Sequence, residues 1–332
     1  MTEPGFLPRI ALLAVGGTIA MAGSHRTGVT PALDAGTLLA AVPGLDAVAR
    51  PEPVDLFGIP GPHMALDSLI HIHDAIRHSV ADGCTGVVVS QGTDTIEEAA
   101  FALHLLGTYR HPVVVTGALR HPGQAGADGP ANLLAAMRVA SASTAAGLGV
   151  LVVLNDTIHA ADRVTKGHAS RPDAFLSRGG PMGEVVERRV CLDGCREVPG
   201  AGAAAGCITP AAVALMPAVL GDDGRLLAHL PECGYRGLVL DGMGGGHVPP
   251  VVAHRLDQLP AEFPVVITSR TGGGRTLHET YGYAGAELDL EKRGVIRAGR
   301  LDGPKARMAM SLLLGAGADR QAIRSFFTAF GG

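Results

Sequence analysis

Three absences narrow what this chain can be. No uninterrupted apolar run approaches the ~20 residues that a spanning helix needs, so a membrane protein is not expected. Basic charge is not in excess: 27 lysines and arginines stand against 31 acidic residues, giving a formal charge of −4 and an isoelectric point near 6.4. A chain with that balance has no field to hold phosphate backbones, and nucleic acid is not an expected partner. Cysteine is sparse: Cys84, Cys191, Cys195, Cys207 and Cys233 are odd in number and form no CxxC spacing. A disulfide framework and a zinc site are both unexpected.

Familiar cofactor and nucleophile motifs are missing too. His71 and His73 are two apart on a helical pattern and do not face each other, and His71 and His78 are too far apart to share an ion, so no metal is expected. No GxGxxG follows the first strand, and the run Gly242-Met243-Gly244-Gly245-Gly246-His247 ends in histidine. Neither a dinucleotide site nor a phosphate loop is supported. Ser90 lies in Val88-Val89-Ser90-Gln91-Gly92 without the glycine two residues before it that a nucleophile elbow requires.

What is present describes a globular α/β protein. The 332 residues leave room for about two domains at ~100–200 residues each, and 47% hydrophobic content can fill a sizeable core. Short apolar runs at 10–15, 86–90, 112–116 and 149–155 alternate with helical patterns at 66–80, 96–106 and 131–140. Fully apolar strands between amphipathic helices imply a mostly parallel sheet covered on both faces. The pattern breaks into Gly, Ala and Pro between 188 and 210. We therefore expect a larger N-terminal α/β domain over 1–190, a linker over 191–209 and a smaller C-terminal α/β domain over 210–332. In the latter, strands are expected at 213–216, 237–241 and 265–269, and helices at 307–314 and 320–330. The N-terminus carries Glu3 and only a short apolar stretch before Gly16, which reads as a first strand rather than a secretory signal. A reduced, cytoplasmic compartment is the expectation.

Three segments carry polar chemistry at strand ends. In Val15-Gly16-Gly17-Thr18-Ile19-Ala20 two glycines let backbone approach a ligand closely at the carboxyl edge of a sheet, where α/β ligands bind. A plain strand-to-loop turn has the same appearance. In Gln91-Gly92-Thr93-Asp94-Thr95-Ile96-Glu97-Glu98, Thr95 with Glu98 fits a capping box and Asp94 with Glu97 is a competing cap. Either cap leaves Thr93 over, beside a helix N-terminus that attracts a carboxylate or oxyanion. Only three of the 27 basic residues are lysines, so arginine serves where positive charge alone is wanted. Lys166, after the strand at 149–155, can lose a proton when partly buried, as arginine cannot, though a solvated loop lysine is equally open.

Together, the Gly17-Thr18-Ile19-Ala20 rim, the Gly92-Thr93-Asp94-Thr95 turn and a lysine after Asn155-Asp156-Thr157 resemble the bacterial-type L-asparaginase family. Thr116-Gly117-Ala118-Leu119-Arg120, Ala127-Asp128-Gly129-Pro130-Ala131-Asn132 and Asp302-Gly303-Pro304-Lys305-Ala306-Arg307 extend the likeness in order along nearly the whole chain. The resemblance implies two α/β domains, a homotetramer built from intimate dimers, and hydrolysis of a small amino-acid amide, asparagine, to aspartate and ammonia without a cofactor. It implies Thr18 as nucleophile, activated by a base because a neutral hydroxyl is a poor one. Lys166, its proton affinity lowered by its surroundings, would draw a proton through Thr93 or a water held by it. Asp94 would hold the array and receive the substrate ammonium. Gly17 and the N–H groups of the turn at Gly92 would meet the substrate, and Gly61 and His63 align with a tripeptide that contacts its carboxylate. From the partner subunit comes a glutamate, matched best by Glu287 and next by Glu279.

Several positions depart from the family's pattern. Many members carry a tyrosine on a mobile lid after the first threonine, whereas 21–33 contains none, and Tyr109, Tyr235, Tyr281 and Tyr283 lie elsewhere. Ser24, Thr27 and Thr30 are the hydroxyls available on that lid, whose segment 21–30 has no apolar period and is expected to be mobile. A partner-subunit asparagine corresponds to Gly245. Preference between asparagine and glutamine stays open. So do an amidase component acting on aminoacyl-tRNA, disfavoured by the acidic balance and the lack of an appended domain, and a non-enzymatic amino-acid-binding protein with a crippled lid.

Overall fold

A computed structural model describes residues 7–24, 28–194, 198–207 and 209–332. Thr27, Cys195 and the Ser24 side chain lie outside the described residues. The described chain divides into two compact units, one ending at Ala201 and the other beginning at Gly202. That division falls inside the expected linker.

In the first unit the chain runs β1 (Arg9–Gly16), β2 (Met21–Ser24), β3 (Gly28–Pro31), α1 (Ala35–Ala40), β4 (Arg50–Ile59), α2 (Leu66–Ala81) and β5 (Gly86–Ser90). It continues through α3 (Ile96–Leu106), β6 (Val113–Thr116), α4 (Gly129–Ser141), β7 (Val150–Leu154), β8 (Thr157–Ala160), β9 (Val164–Lys166), β10 (Phe175–Ser177), β11 (Gly183–Val186) and β12 (Arg189–Leu192). Eight strands form one sheet in the order β12-β11-β8-β7-β6-β5-β1-β4. The five strands from β4 to β7 pair in parallel, while β8, β11 and β12 extend the sheet antiparallel. Sequence pattern does not mark that antiparallel extension, because its strands are short, carry no continuous apolar run, and in β11 and β12 are partly exposed.

The fully apolar strands divide their side chains between two cores. Ile10, Leu12 and Ala14 of β1 face one core, with Leu38 of α1 and Leu133, Ala136 and Met137 of α4. Ala11, Leu13 and Val15 face the other, with Ile72 and Ile76 of α2 and Ile96, Ala100 and Leu103 of α3. Period-two alternation thus explains why every position of β1 from Ile10 to Val15 is apolar. After β1 the chain crosses to β4 on one side and then to β5 on the other. The carboxyl ends of β1 and β5 therefore flank the point where strand order reverses, where a crevice opens in such sheets.

The expected lid is a two-stranded ribbon, β2 against β3, with Met21 opposite Pro31 and Ala22 opposite Thr30. Backbone pairing supplies order where the side chains offer no apolar period.

The second unit holds a four-stranded parallel sheet, β13 (Val213–Pro217), β14 (Gly237–Gly242), β15 (Val265–Ser269) and β16 (Ile296–Arg297), with α5 (Pro250–Leu256), α6 (Glu287–Lys292), α7 (Gly303–Gly315) and α8 (Arg320–Thr328). Leu238, Leu240, Ile267, Val252 and Leu290 form its core. Asp302 caps α7 by accepting the Lys305 N–H at 3.0 Å, and it pairs with the buried Lys305 ammonium at 2.9 Å.

Candidate active site

Three backbone segments meet at the carboxyl ends of β1 and β5. After β1, Gly16 and Gly17 take φ of 123° and 79°, values costly for a residue with a Cβ, and turn the chain into the short 3₁₀ segment Thr18–Ala20. A Cβ on Gly17 would stand 2.2 Å from the Gly92 nitrogen, so backbone meets backbone there. Gly92 has an ordinary φ of −66°, yet a Cβ on it would lie 2.5 Å from the nitrogen and Cα of Gly61. The glycines at 17, 61 and 92 thereby bring the turns bearing Thr18, His63 and Thr93 side by side. Thr18 is half-buried, and among the described residues its hydroxyl has no hydrogen-bond partner. His63 is exposed.

Lys166 reaches this rim from β9. Its ammonium donates to the Thr93 hydroxyl at 2.9 Å and to Asp94 Oδ1 at 2.6 Å, and its own N–H donates to Glu97 Oε2 at 3.2 Å. Thr93 is buried and Lys166 largely so, whereas the Asp94 side chain is 59% exposed. Asp94, Glu97, Lys166, Gly167 and His168 line a cleft of about 360 Å³.

Neither helix cap expected at this turn forms. Thr95 stands at the N-cap of α3 with no side-chain capping bond; its hydroxyl instead makes long contacts with Gln91 Nε2 (3.4 Å) and the Gly61 carbonyl (3.5 Å). Asp94 and Glu97 both turn to Lys166, so the polar side chains of the turn converge on the lysine. Glu97 is legible in sequence only as a capping residue, and its spacing of one helical turn from Asp94 is the available signal.

A second arrangement holds the hairpin that leads to Lys166. Asn155 and Asp156 both have positive φ, 49° and 57°, in the tight turn between β7 and β8. Buried Asn132 accepts the Asn155 N–H at 2.9 Å and donates to the Gly117 carbonyl and to Asp128. Asp128 in turn accepts the N–H groups of Leu119 and Arg120. The three family-like segments beyond β5 in this unit are thus one hydrogen-bonded scaffold.

In the second unit, Glu287, the carboxylate that the resemblance matches best, is bonded within its own loop. Its Oε1 accepts the N–H groups of Thr280 (2.8 Å) and Tyr281 (2.6 Å), and its Oε2 pairs with His247 Nε2 at 3.0 Å. Burial disfavours its charge, but these backbone bonds and His247 outweigh that and hold its pKa below the usual carboxylate value. An ionised Glu287 requires a proton on His247 Nε2, and His247 Nδ1 lies 2.8 Å from the Tyr283 hydroxyl. The physical reason is local: the irregular chain before α6 needs a buried acceptor for its amides. Glu279 is 81% exposed, 3.8 Å from His278, and Gly245 accepts the Leu277 N–H. Among the described residues no group of three or more His, Cys, Asp or Glu is placed to hold a metal, and no helix is long and apolar enough to cross a membrane.

Residues 9–194 match the family described as Asparaginase, N-terminal, and residues 212–327 the Glutaminase/Asparaginase C-terminal domain. The chain belongs to the asparaginase family. A relative described as a probable L-asparaginase of Deinococcus radiodurans is 37% identical, with 98% of each chain covered. An L-asparaginase of Bacillus licheniformis is 32% identical over 92% of this chain and 95% of its own. The likeness also reaches one component of the glutamyl-tRNA(Gln) amidotransferase of Methanosarcina mazei, 31% identical, of which 72% is covered against 91% of this chain. The crystal structure of a probable cytoplasmic L-asparaginase from Campylobacter jejuni superposes with a TM-score of 0.86 at 30% identity, covering 97% of this asparaginase-family chain and 99% of the other.

Proposed function

We propose that the protein hydrolyses L-asparagine to L-aspartate and ammonia, with Thr18 as nucleophile. The observation that carries this reading is the convergence of Thr93, Asp94 and Lys166 at the strand ends beside the Gly17–Gly92 contact. Thr18 Oγ attacks the side-chain carboxamide carbon and its proton leaves to a base. The carbonyl oxygen, now negative, is met by N–H groups of the Gly92–Thr95 turn, a contribution that often amounts to ~3 kcal/mol per donor. The leaving nitrogen takes up the proton that came from Thr18, the C–N bond breaks to release ammonia, and an aspartyl ester remains on Thr18. Water attacks the ester, losing its proton toward the Thr93–Lys166 pair, and aspartate departs.

Asp94 has two roles in this reading. It holds the Lys166 ammonium at rest, and its exposed face receives the substrate α-ammonium. A docked ammonium competes for that carboxylate and sets a like charge near Lys166, which favours transfer of the lysine proton. Gly17, Gly61 and His63 border the substrate. No cofactor enters. The protein works in the cytoplasm as a homotetramer built from dimers, and the 270–290 segment of a second copy completes the site, with Glu279 as its exposed carboxylate.

The test is ammonia release from asparagine and from glutamine by wild type and Thr18→Val, with aspartate binding followed by calorimetry. Turnover of asparagine that the variant loses by ~1000-fold or more, with aspartate still bound, supports the reading. Binding without turnover in the wild type would make the protein a sensor. Faster release from glutamine would move the substrate assignment to the longer amide, a possibility that the amidotransferase relatives keep in view.

A further inference from the structure

Lys166 is held at both of its ends from the start of α3. Its ammonium reaches Thr93 and Asp94, and its backbone N–H donates to Glu97 Oε2 at 3.2 Å. Asp94 and Glu97 stand three positions apart where the 3₁₀ turn Thr93–Thr95 runs into the helix, which puts both carboxylates on the side that faces β9. The mechanism above gives work to Asp94 and none to Glu97.

The ribbon that carries Lys166 explains why the second hold matters. β9 has three residues and pairs with β10 in a two-stranded sheet apart from the eight-stranded one. Lys166 stands opposite Phe175 there, and the next amide, of Gly167, donates to the Ala174 carbonyl at 2.7 Å. Successive amides of a strand point in opposite directions, so the Lys166 N–H points away from β10 and meets half-buried Glu97. Val164 and Phe175 pack into the core that Ile96 and Leu103 of α3 share, which presses the ribbon against the helix. Apolar contact is non-directional and does not fix where along α3 the lysine begins. The hydrogen bond to Glu97 does. Lysine carries its ammonium on a flexible four-carbon stem, so that starting point decides whether Nζ finds the Thr93 hydroxyl.

We propose that Glu97 is a positioning residue for Lys166: its carboxylate fixes the Lys166 backbone and thereby keeps Nζ within reach of Thr93 and Asp94. This role rests on the amidohydrolase reading, in which the Thr93–Lys166 pair takes up a proton from water. Glu97 itself takes up no proton in it and acts only through the lysine.

The experiment compares wild type, Glu97→Ala and Glu97→Gln by steady-state kinetics on asparagine and by amine labelling. Acetic anhydride at limiting concentration is followed by mass spectrometry, which is simple here because the chain has only Lys166, exposed Lys292 and buried Lys305. Lys292 reports reagent strength, and Lys305 reports unfolding. Glu97→Ala should lower kcat by ~10- to 100-fold with KM within about twofold, and raise Lys166 labelling at least about threefold, with Lys292 and Lys305 unchanged. Glu97→Gln keeps an oxygen that accepts the N–H and should restore both readouts. Unchanged Lys166 labelling in Glu97→Ala, whatever kcat does, would overturn the proposal, as would a Glu97→Gln variant as impaired as Glu97→Ala. The labelling does not depend on turnover: the expected pattern in a protein that releases no ammonia would remove the amidohydrolase reading and leave the hold of Glu97 on Lys166 standing.

Discussion

Lys166 Nζ stands 2.9 Å from Thr93 Oγ1, a bond between residues 73 positions apart in the chain. The same nitrogen donates to Asp94 at 2.6 Å, so the lysine bridges a buried hydroxyl and an exposed carboxylate. Changing the lysine while keeping its charge isolates proton transfer. Lys166→Arg retains a cation beside Asp94 but cannot give up a proton, and kcat for ammonia release should fall ~100-fold or more. Near-normal kcat would reduce Lys166 to an electrostatic anchor.

Asp94→Asn should separate function from stability. The carboxylate is 59% exposed, so losing its ion pair should change unfolding free energy by less than ~1 kcal/mol. Losing a charged partner for the substrate ammonium should raise KM by ~10-fold or more. Denaturant titration and steady-state kinetics on one preparation read both, and an unchanged KM would remove Asp94 from ammonium recognition.

Gly92→Ala tests the convergence of the three turns. Alanine accepts a φ of −66° without strain, so the sole cost is its Cβ, 2.5 Å from Gly61 backbone atoms. Backbone cannot swing aside as a side chain can, and a loss of ~1–3 kcal/mol in stability is expected together with loss of turnover. A fully active, equally stable variant would show that these turns are looser than the geometry indicates.

For Glu287, truncation should act on the fold. Glu287→Ala leaves the Thr280 and Tyr281 amides and His247 without their acceptor, which should cost ~1–3 kcal/mol. Chemical denaturation checks it; unchanged stability together with a raised KM would return Glu287 to substrate binding.

Acid sensitivity should come partly from His159, which is 2% exposed and bonded to the Ser177 hydroxyl at 2.8 Å. Burial pushes its pKa down from 6.5 to about 4. The unfolded chain therefore takes up a proton between those values and the folded chain does not, so this stability is intact above pH 6.5 and lost as pH falls toward 4. His159→Gln should flatten the dependence of the unfolding midpoint on pH across that window. An identical slope in the variant would place the acid sensitivity elsewhere.

Some of this protein was legible from its residues alone. Every position of β1 after Arg9 and every position of β5 is buried, and a strand with both faces covered must be apolar nearly throughout, so parallel strands and flanking helices could be read from period and composition. Glycines at strand ends and a rare lysine marked Thr18, Thr93 and Lys166 because only special backbone and a titratable amine need those residue types. Tertiary structure alone decided the rest. Asp94 and Glu97 fitted a helix cap locally, yet Asp94 pairs with the Lys166 ammonium and Glu97 accepts the Lys166 backbone N–H, both brought from β9. Nothing in the sequence signals that the loop before α6 turns two amides and His247 onto Glu287. Local sequence records what a side chain can do; which partner it meets depends on chain segments many residues away, and only the packed fold sets that distance.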